Sequence, residues 1–173
     1  RAVVADANQV IQRIAHRQKE NGDWEFYVAD AWDMKAEAPH NCLDFNNWFP
    51  EGECDPITSV MPDFQGRIWW VTRFSRVGTV NPATGHKAVH RFEGEEIQNS
   101  LSADTYGMYV ITDYALYFMA ADDEDKPKVI WQETYPRSNN YRYGNINNGS
   151  GSTPTLMNDE RGRKYVAITY AGT

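Results

Sequence analysis

Asp63-Phe-Gln-Gly-Arg-Ile-Trp-Trp-Val-Thr-Arg-Phe-Ser-Arg-Val-Gly-Thr-Val-Asn-Pro-Ala-Thr-Gly85 is the stretch whose reading decides the fold. Short apolar runs alternate with turns spelled in Asp, Gly, Asn and Pro. Proline at the first corner of a turn and glycine at its end suit tight reversal of an extended chain. Working outward, Ile57–Met61, Arg67–Thr72, Val77–Asn81 and His86–Phe92 read as strands, with turns at Pro62–Gly66 and Pro82–Gly85. Four strands in about 36 residues make a four-stranded antiparallel meander.

The pattern then restarts. Ile97–Ala103, Met108–Thr112, Leu116–Ala120 and Val129–Glu133 repeat it, with turns at Asp104–Gly107 and Ala121–Pro127. A third start follows at Pro154–Met157, Asn158–Gly162 and Lys164–Thr169. Asp63 aligns with Asp104 and Asp159, Gly66 with Gly107 and Gly162, and Val60 with Leu101 and Leu156. Val71-Thr72 aligns with Ile111-Thr112 and Ile168-Thr169. The run Ala2–Asp6 suits the second strand of an earlier copy. Val10–Ala15 reads as strand rather than helix, because Asn21-Gly22 makes a hairpin into the alternating run Trp24–Val28. Ala31–Asp55 reads as a long connection.

All-strand repetition at about 41 residues is the pattern of a β-propeller. The expected fold is all-β: a propeller segment of about three and a half four-stranded antiparallel blades, part of a larger ring. A single incomplete domain over 1–173 would carry blades near 1–35, 57–92, 97–135 and 154–173, with loops at 36–56 and 136–153. Remaining blades, or a second chain, would complete the ring, because one blade cannot bury both its faces alone. An all-β sandwich is the alternative.

Of 173 residues, 41% are hydrophobic and 13% aromatic, enough for one packed domain. The net charge of -7 argues against a broad electropositive field for nucleic acid. No apolar run approaches the roughly 20 residues needed to span a bilayer. Cys42 and Cys54 enclose a loop rich in Asn, Pro and Gly, and a disulfide between them fits an extracytoplasmic protein, secreted or periplasmic. A zinc site is disfavoured, since no His or Cys companions stand at regular spacing.

The Gly-Arg-Ile-Trp-Trp-Val core and the Asn-Pro-Ala-Thr-Gly turn resemble blades of quinoprotein-type (PQQ-repeat-like) propellers and of the gluconolactonase and strictosidine-synthase-like group. Met61–Gly85 and Gly149–Leu156 are most similar to uncharacterised extracytoplasmic bacterial propeller proteins. The resemblance, over about Ile57–Thr169, implies a fold more than a chemistry, because blade motifs are turns. It also implies a possible central calcium ion, for which Asn99 stands in a matching place. The equivalent positions, Thr58 and Pro154, are poor ligands, and calcium requires six to eight oxygens. A turn role for Asn99 is the competing reading.

His86 and His90 share a strand face about 13 Å apart, too far for a metal pair, and read as exposed residues of a blade edge. The Asp122–Asp125 run reads as a solvated hairpin tip. No nucleophile elbow or phosphate loop is present. Tyr135, Arg137, Tyr141, Arg142 and Tyr143 gather around the insertion Pro136–Ser152, where a long loop of a repeat array can bind ligands. Two functions follow as expectations. One is a recognition propeller for a small molecule, carbohydrate, peptide or partner protein. The other is a metal- or quinone-dependent enzyme, a lactonase-like hydrolase or a dehydrogenase, with part of its central site in this chain.

Overall fold

The computed structural model describes residues 2–39, 54–137, 149–150 and 152–170. Its strands form four antiparallel sheets, each with its strands in chain order. The first sheet has β1 (Ala2–Ala5), β2 (Val10–Gln18) and β3 (Trp24–Asp33). The second has β4 (Ile57–Pro62), β5 (Ile68–Thr72), β6 (Arg76–Val80) and β7 (Lys87–Arg91). The third has β8 (Ser102–Asp104), β9 (Gly107–Ile111), β10 (Ala115–Ala121) and β11 (Pro127–Thr134). The fourth pairs β12 (Thr155–Asn158) with β13 (Lys164–Ala167).

The expected all-β class and the meander order are therefore present. Val10–Gln18 is strand, and its partner β3 runs on to Asp33, further than the alternation at Trp24–Val28 marks. A β-bulge between Arg13 and Ile14 lets the two strands keep pairing over that length. The run Ile97–Ala103 is mostly not strand. Only Ser102–Asp104 pairs, while Ile97 and Leu101 reach the core from the segment before it. No sheet closes on another among the described residues, so a ring is not itself observed.

The sheets stack face to face in the order in which the chain makes them. Side chains alternate across a strand, so a strand buried on both faces serves two cores. In β5, Ile68 and Trp70 pack with Ile11, Trp32 and Met34 of the first sheet and its following turn. Trp69 and Val71 point the other way, to Phe92, Met108, Val110 and Tyr117. β9 repeats the device: Met108 and Val110 face the second sheet, and Tyr109 and Ile111 face Leu156, Val166 and Ile168. Every residue of β5 and β9 is buried. Gly78 is required beside Trp70, because a Cβ there would stand 2.2 Å from the indole ring.

Candidate functional site

The aligned aspartates are structural. Asp63 Oδ1 accepts the amides of Gln65 and Arg67, both at 2.9 Å, and so closes the turn from β4 to β5. Asp159 Oδ1 does the same for Arg161 at 2.9 Å and Arg163 at 2.8 Å. Asp104 accepts Tyr106 at 2.7 Å and Gly107 at 3.1 Å, in a turn one residue shorter. That difference corrects the glycine alignment. Gly66 and Gly162 hold φ of 91° and 74°, which glycine adopts without steric cost. Gly107 instead opens β9 where a Cβ would meet the Met119 carbonyl oxygen at 2.2 Å. The repeated threonines serve the next turn: Thr72 Oγ1 accepts the Arg76 amide, and Thr112 Oγ1 accepts those of Tyr114 and Ala115.

The long connections meet at the other end of the strands. There the Phe74 amide, in the turn from β5 to β6, donates to Asp55 Oδ1 at 2.7 Å. The Ile97 amide donates to the Arg73 carbonyl, and Asp113 and Glu96 exchange bonds across 17 residues of sequence. A cleft of about 280 Å³ opens on this side, walled by Asp55, Phe74, Arg76, Arg91, Glu95 and Glu96. Pro39 and Cys54, which flank residues 40–53, also line it.

The charges in this cleft are ordered by neighbours. Asp55 is buried, pairs with the Arg76 guanidinium and accepts the Thr72 hydroxyl at 2.8 Å. A buried carboxylate with a guanidinium, a hydroxyl and an amide on it is well satisfied. Glu95 accepts the Tyr117 hydroxyl on both oxygens, at 2.8 and 3.0 Å. Burial first, and then this carboxylate, push the Tyr117 phenol well above its ordinary pKa. Arg91 is exposed and reaches Glu93 at 3.5 Å. Cations, anions and one aromatic ring thus line the cleft. Among the described residues, no group of three His, Cys, Asp or Glu is placed to hold a metal ion.

The residues singled out from sequence fall into different settings. Tyr135 is half-buried; its hydroxyl donates to the Thr112 carbonyl and accepts the Ser150 amide at 3.0 Å. Burial pushes its pKa up to about 12. Arg137 Nε donates to the Asp113 carbonyl at 2.7 Å, and the guanidinium lies 5.1 Å from the Tyr114 ring centre. Both side chains thus fasten the start of the insertion to the turn from β9 to β10. Tyr141, Arg142 and Tyr143 lie outside the described residues. Asn99 donates its amide to the Ser150 carbonyl at 2.8 Å, tying two connections together. Cys54 is buried and not a free thiol, while Cys42 lies outside the described residues.

Two sequence readings need correction. His90 is half-buried on Phe92, with ring centres 4.6 Å apart, and burial lowers its pKa. Asp125, read as part of a solvated tip, joins the third sheet to the second. It takes Arg67 at 3.4 Å and Asn81 at 3.0 Å, and its carbonyl takes the Thr79 hydroxyl. The cleft residues Asp55, Arg76, Glu95 and Glu96 carried no local motif. They meet only because successive turns stack.

No family model matches the chain. An uncharacterised protein of Archaeoglobus fulgidus is 36% identical over an alignment 121 residues long that covers 66% of this chain and 23% of that protein. The chain therefore spans less than a quarter of this relative's length. Two crystal structures of the extracellular domain of a B. thetaiotaomicron protein, described as a one-component or a hybrid two-component system, also align. Each is 14% identical with a TM-score of 0.46; they cover 98% and 97% of this chain and 20% of the longer one. None of these descriptions names a quinoprotein or a lactonase.

Proposed function

We propose that the chain is part of a β-propeller in an extracytoplasmic protein and that its long-loop side binds a polar ligand, a carbohydrate or a peptide. The observation that carries this reading is the mixed-charge cleft between Asp55, Arg91 and Glu96, set where the long connections converge. Guanidinium and carboxylate groups around an aromatic ring fit hydroxyl and amide groups, which need both donors and acceptors. Asn99, on which a metal-dependent alternative leans, has its amide turned to the Ser150 carbonyl.

The ring reading is supported by the way each inner sheet packs on both neighbours. It is also supported by apolar side chains left on the outer faces of the end sheets: Val4, Trp24, Phe26 and Val28 at one end, Met157 and Tyr165 at the other. Exposed apolar surface of this extent marks an interaction face. The extracytoplasmic placement rests on the Cys42–Cys54 pair.

Glycan and peptide arrays probed with the chain, and with an Arg91→Ala, Glu96→Ala double variant, test the ligand reading. A ligand bound by the parent should bind the variant at least about tenfold more weakly. Equal binding by both proteins, or no binding to either array, would overturn it.

A further inference from the structure

Among the described residues the first sheet has three strands where the second and third have four, and positional equivalence shows which position is unfilled. The turn from β1 to β2 repeats the turn from β5 to β6 in backbone conformation and in two of its bonds. Gln9 and Ser75 are both buried non-glycine residues in the left-handed region, with φ of 61° and 66°. The Gln9 amide bonds the Asp6 carbonyl at 3.1 Å, as the Ser75 amide bonds the Thr72 carbonyl at 3.3 Å. The side chains of Asp6 and Thr72 each accept the amide four residues on, both at 3.0 Å. After the third strand of each set, the Met34 amide bonds the Gln9 carbonyl at 2.9 Å, and the Phe92 amide bonds the Ser75 carbonyl at 3.1 Å.

β1, β2 and β3 therefore correspond to β5, β6 and β7. Each other second strand has a first strand on its outer edge: β4 on β5, β8 on β9 and β12 on β13. β1 has none among the described residues. The Asp6 amide bonds the Val10 carbonyl, so by antiparallel alternation Ala2 and Val4 also turn their backbone groups to β2. Val3 and Ala5 direct theirs to the open edge, while their side chains pack against the first core. An open edge of this kind is a template for a further strand.

We infer that the open edge of β1 receives an antiparallel strand of the β4 type, entering through an aspartate turn. The occupant is specified by the equivalent pairing of β4 with β5, in which Ile57–Pro62 runs into Asp63-Phe-Gln-Gly-Arg67 and then β5. Counted back from the matched turns, Arg1-Ala2 stands where Arg67-Ile68 stands. A copy of Ile57–Gly66 placed directly ahead of Arg1 would thus recreate the whole hairpin in register. The inference rests on the equivalence of the sheets, independently of the ligand reading and of ring closure.

Amide hydrogen exchange on the full chain with and without that added segment tests it. Val3 and Ala5 should exchange at least about a hundredfold more slowly in the extended chain, and its Tm should rise. A second extended chain, with Ser59→Pro and Met61→Pro in the added copy, should give neither effect, because proline cannot donate to a ladder. Unchanged exchange in the first extended chain would overturn the inference, as would equal protection by the proline-bearing copy. So would Val3 and Ala5 amides already protected in the unextended chain by concentration-dependent self-association, which would assign the edge to a second copy.

Discussion

The indole Nε1 of Trp69 donates to Asp63 Oδ2 at 2.9 Å, so one buried carboxylate closes a turn and satisfies the largest side chain of the next strand. The relationship recurs with the aromatic changed: Tyr109 to Asp104 and Tyr165 to Asp159, both at 3.3 Å. Trp69 and Tyr109 are buried between sheets, where the polar atom of a ring needs a partner. Tyr165 keeps the same bond while exposed on the outer face of the fourth sheet.

Asp63→Ala should therefore be costly. It removes the acceptor of two backbone amides, of Arg67 Nε at 2.8 Å and of the indole. We expect a loss of about 3 kcal/mol, much of it from the indole N–H left buried without an acceptor. Urea unfolding followed by tryptophan fluorescence measures it. Asp159→Ala, at an exposed turn of the same design, should lower the midpoint far less; equal effects would show that burial of the indole is not the cause.

The acid limb of stability should report Asp104. Burial alone would raise its pKa, but the Tyr106 amide, Lys164 ammonium at 3.3 Å and Gly107 amide outweigh burial and hold it below the usual carboxylate range. A group with a depressed folded pKa adds stability above its unfolded pKa, about 3.9, and that stability is lost as pH falls through the folded value. Lys164→Met should be less stable than the parent at neutral pH. The gap in unfolding midpoint should narrow as pH falls below about 4. A gap independent of pH would mean that Lys164 acts through packing on Tyr106, 4.4 Å away, and not through charge.

Gly78→Ala tests the close packing of β6 on Trp70. The added methyl would overlap the indole, which is fully buried in one cluster with Ile11, Trp32 and Met34. A loss of about 3 kcal/mol is expected, from a displaced ring or a bent strand. Thermal unfolding measures it, and Gly85→Ala, where the added Cβ meets nothing within 4 Å but φ is 73°, is the comparison that isolates backbone strain at about 1 kcal/mol.

Thiol titration of the unfolded, unreduced protein should find no free cysteine if Cys42 and Cys54 pair. Reduction should then lower stability by about 3 kcal/mol, the scale for cross-linking so short a loop. Two titratable thiols would remove both the pairing and its support for an oxidising compartment.

Most strands are readable from sequence because turn residues bound each apolar run; Ile97–Ala103 is the exception, since Ile97 and Leu101 reach the core from a segment that is not strand. Asp63, Asp104 and Asp159 are readable too, since their bonds run to residues only a few positions on. Gly107 misled because a turn shortened by one residue still ends in glycine. Asn99 reads from sequence as an ion ligand or a turn residue; its partner Ser150 lies 51 residues away and no local pattern announces it. The cleft was hidden for a related reason. Asp55 and Arg76 are 21 residues apart and meet only when a connection folds back over the turn from β5 to β6. Asp125 sits in an acidic run that composition alone assigns to solvent, and its role depends on Arg67 and Asn81 of another sheet.

Trp69 and Trp70 are joined by one peptide bond and belong to different cores. A slip of β5 by a single residue would turn every side chain of the strand to the opposite core, so register in β5 is set by both neighbouring sheets. Because the chain holds six tryptophans, the difference in emission between the parent and a Trp69→Phe or Trp70→Phe variant isolates the signal of one joint or the other.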